Sequence, residues 1–492
     1  MSQNETPLFT GLLNHIKSNP IQFHIPGHKK GKGMDPEFRE FIGENALSID
    51  LINIAPLDDL HQPHGIIKEA QSLAAEAFDA DATFFSVQGT SGAIMTMVLS
   101  VCSPGDKIIV PRNVHKSVLS AIIFSGAIPV FIYPEIDRDL GISHGITIDA
   151  VQKAINQHPD AKGLLVINPT YFGIAGNLKQ LVELAHEYDI PVLVDEAHGV
   201  HIHFHNDLPL SAMQAGADMA ATSVHKLGGS LTQSSILNVK EGLVSAKHVQ
   251  SILSMMTTTS TSYLLLASLD SARRFLATQG KEQISKAIAL AEEARKLIND
   301  IDSLYCVGRE ILNGQATFDL DPTKLLISVK ELGISGYDAE VWLREKHRIE
   351  VELSDLYNIL CLVTPGDSNE TIQQLVTALR HMAEELSLTN HAVQHKEMPV
   401  HVPQMPSLSL SPRSAFYAET ENIPFWESEG RIIAEFVMVY PPGIPIFTPG
   451  EIITRDNLNY IIENMASGLP VQGPEDPSLS MLKVVKETTP IK

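Results

Sequence analysis

The chain has 492 residues, of which 44% are hydrophobic and 19% charged, with a formal net charge of −22 at pH 7. That length exceeds a single core and that composition suits a globular interior, while the acidic balance argues against a nucleic-acid surface and is compatible with a small cationic substrate. Cys102, Cys306 and Cys361 are scattered without a C-x-x-C pair, the N-terminus lacks a signal pattern, and no apolar run approaches the ~20 residues of a membrane span, so a disulfide framework and a membrane partner are not expected and the cytoplasm is the expected compartment.

Residues 1–20 read as a short arm or first helix, and the Gly-, His- and Lys-rich 23–33 as a loop. From about residue 64 short apolar runs alternate with helical stretches. The runs are Thr83–Val87, Lys107–Val110, Ile128–Tyr133, Gly163–Ile167, Pro191–Val194, Met219–Val224 and Ser235–Asn238. Gly92–Val101 and Leu178–Tyr188 read as helices between them. This alternation predicts an α/β fold with a mainly parallel sheet covered on both faces. Leu264–Leu269 and the Ala-rich 280–300 predict long helices leaving that domain. Residues 303–385 suit a smaller α/β domain. A proline-rich stretch with Pro399, Pro403, Pro406 and Pro412 reads as a linker before a last segment holding the dense motif YPPGIPIFTPGE, residues 440–451.

Four segments at expected strand ends carry chemistry. Gln88-Gly89-Thr90-Ser91-Gly92 opens a helix after a strand; small residues, hydroxyls and first-turn N–H groups suit a phosphate, or form an ordinary N-cap. Arg112-Asn113-Val114-His115 follows the next strand, and His115 could lie on an aromatic ring or be a structural histidine. The apolar Val192–Val194 ends in Asp195, where open α/β sheets carry their sites. A buried Asp195 requires a cationic partner such as a protonated pyridine nitrogen, or it caps the next turn. The D-E-A-H of 195–198 would also suit an NTPase, but no G-x-x-x-x-G-K-[ST] loop precedes it. Ser223-Val224-His225-Lys226 follows another strand. A lysine desolvated in that setting has a lowered pKa and forms Schiff bases. Phosphate cradle, stacking His, ring-nitrogen carboxylate and Schiff-base lysine together are what pyridoxal 5′-phosphate requires. His201, His203 and His205 alternate after His198; on a strand they would share a face as metal ligands, or else the run lines the cofactor pocket. No metal is expected.

These segments, with FHIPGHKKG, NPTYFG, EVELSDLYNIL and YPPGIPIFTPGE, resemble the Orn/Lys/Arg decarboxylases of the fold-type-I pyridoxal phosphate enzymes. The resemblance is nearest to the short biosynthetic arginine decarboxylases of Gram-positive type. FHIPGHKKG begins at residue 23, so the extra N-terminal domain of the long acid-induced members is not expected. The resemblance implies an aspartate-aminotransferase-like large domain over 64–265 after an N-terminal arm of 1–63. Linking helices and a small α/β domain would occupy 266–390, and a C-terminal domain 391–492. It implies that Lys226 carries the cofactor, Asp195 pairs with the pyridine nitrogen, and His115 stacks on the ring. Gly89, Thr90, Ser91, Ser223 and His225 would hold the phosphate. His198 stands where some relatives have Trp, and would touch the cofactor or tune the substrate side. The implied reaction converts arginine to agmatine and carbon dioxide at the head of a polyamine (spermidine) route, with lysine or ornithine as alternative substrates. An aminotransferase, an aldolase or a non-catalytic regulator is a more distant alternative. For the guanidinium, Glu451, Asp355 and Glu352 are the candidate carboxylates, and Glu451→Ala is expected to raise KM with the fold intact. A homodimer or larger homo-oligomer with shared sites is implied, with Thr257–Ser262 reaching a partner's phosphate.

Overall fold

The computed structural model describes residues 2–388, 404–439, 444–466 and 471–487. Pro399, Pro403 and residues 440–443 of the expected linker and terminal motif lie outside the described residues. Two compact units form, and neither is one stretch of chain. The first comprises Met1–Val101, Gly163–Pro169 and Leu178–Ser285; the second comprises Cys102–Lys162, Thr170–Asn177 and Lys286–Lys492. A division at 265 would cut a helix, because Tyr263–Asn299 is one unbroken element of 37 residues. It absorbs both long helices expected there. Gly280 is tolerated inside it although glycine weakens a helix by about 1 kcal/mol, and a Cβ at that position would stand 3.4 Å from Phe204.

In the first unit five strands lie in the order Ala82–Ser86, Ser235–Val239, Met219–Thr222, Val192–Asp195, Leu164–Ile167. The last three pair in parallel. Ser235–Val239 runs antiparallel to both of its neighbours, so the sheet is mainly parallel with one reversed strand. The central strands are buried along their whole length, as continuous apolar runs in a sheet covered on both faces must be. Gly89, at φ +67, makes the turn from Ala82–Ser86 into the helix Gly89–Val101. That helix therefore starts at Gly89 and not at the expected Gly92. The N-terminal helix Pro7–Lys17 has no side-chain cap of its own. Asp270 of the long helix supplies one, accepting from Leu8 N at 3.0 Å and Phe9 N at 3.2 Å, and Arg273 balances its charge at 2.7 Å. The alternating histidines lie on no strand: Ile202–Phe204 is a single 3-10 turn.

In the second unit Lys107–Pro111 and Ile128–Ile132 pair in parallel. A four-stranded sheet has the order Tyr305–Cys306, Lys324–Ser328, Asn358–Leu362, Leu353–Ser354. Its core joins Leu325, Ile327 and Ile359 to Ala339, Leu343, Val376 and Leu379 of the helices Gly336–His347 and Asn369–Leu388. A separate cluster, including Phe425, Val437, Phe447 and Ile461, closes the C-terminal part around short strands and the helix Arg455–Ala466. All three cysteines are free and buried. Among the described residues no helix is long and apolar enough to cross a membrane.

Candidate active site

The first unit brings Asp195, His198, Ser223 and Lys226 to one edge of its sheet. Asp195 ends its strand and is 5% exposed. Burial pushes its carboxyl up to about 6, against the pull of the Ala197 N–H and the Lys226 charge. Ala197 N donates to Asp195 Oδ1 at 3.2 Å. A carboxylate so placed gains from any cation brought against it.

Lys226 lies in the short helix Val224–Leu227 that follows Met219–Thr222. Its side chain is exposed, so the expectation of a lysine desolvated by the cleft is corrected. What Nζ has instead is a partner: His198 Nε2 stands 2.6 Å away. His198 itself is buried.

The turn that carries His198 is held on several sides. Glu196 Oε1 accepts from Ala212 N at 2.6 Å, and Thr222 Oγ1 donates to Oε2 at 3.0 Å. A Cβ at Gly199 would come within 2.8 Å of both Glu196 Cγ and Pro169 Cδ, so only glycine fits. Glu196 was not singled out from sequence, because nothing local says where its carboxyl points. Burial pushes that carboxyl up to about 7 from an ordinary 4.5, with the Ala212 and Thr222 donors opposing and the Asp195 charge adding. The folded state therefore favours the neutral acid. Its stabilisation is complete below pH 4.5 and is lost as pH rises through about 7, an effect of about 3 kcal/mol at a shift of this size. Glu196→Gln, a neutral isostere, is expected to flatten this loss. Urea midpoints of both proteins, free of cofactor, between pH 5 and 8 measure it, and equal slopes contradict the burial argument.

Three hydroxyls gather at the start of the helix Gly89–Val101. Thr90 Oγ1 bonds to Ser223 Oγ and, at 2.7 Å, to Ser235 Oγ. Ser235 is a candidate site residue missed in the sequence. It opens the one antiparallel strand, and that reversal puts its first residue level with the C-terminal ends of the parallel strands. Ser91 follows on the first turn, partly exposed. Gly89 does not offer its N–H to a ligand: it donates to Gln233 O at 2.9 Å, so its contribution is the turn. His225 donates from Nδ1 to Ser234 O at 2.8 Å, which leaves Nε2 as its other polar atom. Thr257–Ser262 joins the helices Ala246–Met256 and Tyr263–Asn299.

The second unit holds the remaining candidates. His115 caps the helix Lys116–Ser125, Ser117 N donating to its Nδ1 at 3.2 Å. That bond assigns the ring hydrogen of a neutral His115 to Nε2. Glu451 is not open to a ligand. Arg112 grips both its oxygens, Nη1 to Oε1 at 2.5 Å and Nη2 to Oε2 at 2.8 Å, and Thr448 N adds a third donor at 2.7 Å. Arg112 also donates to Pro445 O and Ile446 O. The expectation that Glu451 receives a substrate guanidinium is corrected: the chain supplies its own. Asp355 is likewise engaged, accepting from Tyr357 N at 2.9 Å and Asn358 N at 2.8 Å in the turn before Asn358–Leu362. Glu352 is exposed, and Tyr171 Oη donates to its Oε1 at 2.6 Å.

The histidine run is partnered by hydroxyls. His203 Nδ1 meets Ser211 Oγ and His205 Nε2 meets Ser285 Oγ, each at 2.8 Å. Among the described residues no group of three or more His, Cys, Asp or Glu is arranged to hold a metal ion.

Comparison with known proteins adds to this geometry. The family model described as "Orn/Lys/Arg decarboxylase, major domain" matches residues 6–371, and the corresponding C-terminal domain matches 392–470. The arginine decarboxylase of Bacillus anthracis is 71% identical over 491 residues, covering 100% of this chain and 99% of that protein. That of Bacillus subtilis strain 168 is 68% identical over 492 residues, covering 100% of both. Among solved structures, the Francisella novicida lysine decarboxylase LdcF superposes with a TM-score of 0.85 at 24% identity, covering 98% of this chain and 81% of that one.

Proposed function

The chain belongs to the Orn/Lys/Arg decarboxylase family, and on that premise we propose that it removes the α-carboxylate of L-arginine, releasing agmatine and carbon dioxide, with pyridoxal 5′-phosphate held on Lys226. The observation that carries the substrate is the full-length identity to arginine decarboxylases. The test is direct: arginine, lysine and ornithine are offered together and the amines identified by mass spectrometry. Agmatine is the expected product, and predominance of cadaverine or putrescine overturns the reading.

The residues fit the cofactor by their donor chemistry. The hydroxyls of Thr90, Ser223 and Ser235 and the positive end of the 13-residue helix Gly89–Val101 suit a phosphate dianion. Asp195, buried and raised toward neutrality, suits a pyridinium proton. When bound, the cofactor supplies a conjugated ring that accepts the electron pair left by the departing carboxylate. Asp195 would keep the proton on the ring nitrogen. Thr90, Ser91, Ser223 and Ser235 would hold the phosphate, His225 would add its Nε2, and His115 would lie against the ring. Lys226 Nζ would hold the cofactor covalently through its aldehyde carbon.

Glu451 and Asp355 are buried and engaged within the chain, whereas Glu352 is exposed beside its bond to Tyr171 and is the candidate carried forward for the guanidinium. Glu352→Gln removes a charge-assisted bond of about 1.5–3 kcal/mol. KM for arginine is expected to rise about 10- to 100-fold while kcat changes little. An unchanged KM removes Glu352 from substrate binding. A homo-oligomer and a place at the start of polyamine synthesis complete the proposal.

A further inference from the structure

We infer that His198 is the acid–base partner of Lys226, the group that takes the proton from Nζ as the covalent link forms and returns it afterwards. This rests on the pyridoxal reading and extends it to a proton path. Three observations support it. The distance from His198 Nε2 to Lys226 Nζ is 2.6 Å, a hydrogen bond between an imidazole and an amine, each able to carry or release a proton. Lys226 is exposed, so an incoming aldehyde reaches its Nζ, and an amine that attacks in its neutral form needs a base to take its proton. The base is also fixed in place. His198 is 7% exposed, and Glu196 anchors its turn through Ala212 N and Thr222 Oγ1. Close packing at Gly228 sets the same turn against the Lys226 turn, a Cβ at Gly228 meeting Val200 Cγ2 at 3.1 Å. Such a pair is ready for proton transfer without rearrangement.

The neighbouring titratable groups do not compete for the role. Asp195 acts on Lys226 through charge. Glu196 faces Ala212 and Thr222. His225 Nδ1 is bonded to Ser234 O.

The step balances. The ammonium of Lys226 gives one proton to His198 Nε2, and the freed lone pair forms the carbon–nitrogen bond to the aldehyde carbon. A second Nζ proton passes to the former carbonyl oxygen. His198 returns the first proton to that oxygen, which departs as water. The nitrogen is left singly protonated and doubly bonded to carbon, and His198 is left neutral.

The test follows cofactor capture and needs no turnover. Protein freed of cofactor is mixed with pyridoxal phosphate, and the visible absorbance of the Schiff base is followed over a range of pH. His198→Ala is expected to reach the same final absorbance about 10²-fold more slowly, within the usual range for losing a positioned base. Added imidazole is expected to restore the rate in proportion to its concentration, which a purely structural role does not predict. Capture by His198→Ala at the wild-type rate, or a slow rate indifferent to imidazole, overturns the proposal. Should His198→Ala fail to fold, the wild-type profile decides: its capture rate must break near the histidine range of about 6.5, and a rise without a break up to the lysine range near ~10.4 overturns it. Wild-type protein that never colours overturns the cofactor reading and this proposal together. A slow but complete variant beside a normal wild type speaks for His198 alone.

Discussion

Lys226→Ala is expected to lower kcat for arginine by at least about 10⁴-fold, the upper range for removing a positioned proton-transfer group, because it also removes the proposed covalent anchor. The fold should survive. Lys226 is exposed, its Nζ stands 2.6 Å from His198 Nε2, and it fills no part of the core. Circular dichroism and the urea midpoint should stay within about 0.5 kcal/mol of wild type, as for surface substitutions generally. Borohydride treatment followed by peptide mapping should find reduced cofactor on the peptide holding Lys226 in wild type and nowhere in the variant. Turnover within tenfold of wild type, or label on another lysine, would remove Lys226 from the chemistry.

The second large effect is on stability. Glu451→Ala leaves the Arg112 guanidinium buried with two backbone carbonyls and no counter-charge. Breaking a buried pair by deleting one partner costs about 3–5 kcal/mol, a large share of the 5–15 kcal/mol that holds a typical domain together. Thermal denaturation is expected to show a markedly lowered transition or insoluble protein, and not the raised KM with intact fold that the motif alone suggested. Arg112→Met combined with Glu451→Leu removes both charges and should recover much of the loss. A Glu451→Ala protein as stable as wild type but weak for arginine would restore Glu451 to the substrate side. Arg112 sits three residues before His115, so the grip on Glu451 fixes the backbone from which that ring projects.

Much was legible because its signals are local. The apolar run ending in Asp195 and the small residues at 89–92 state their elements within a few residues. Lys226 announces itself by following a strand end. What was not legible depends on distant chain. His201, His203 and His205 alternate as a strand would, yet the segment is a single 3-10 turn with hydroxyl partners at Ser211 and Ser285. Ser235 looked like part of another parallel strand, and its reversal is what brings it to Thr90. Glu451 read as a free acid because the arginine that holds it lies 339 residues away.

The sequence by itself determined the α/β class and placed Asp195 and Lys226 at strand ends, since hydrophobic period and turn chemistry act over a few residues, while the family came from the resemblance of its motifs. Only the tertiary structure decided which atoms meet: Arg112 with Glu451, Thr90 with Ser235, His198 with Lys226. A hydrogen bond acts over about 3 Å, and which groups come that close depends on how the strands are ordered and directed, a property of the whole fold that no local pattern carries.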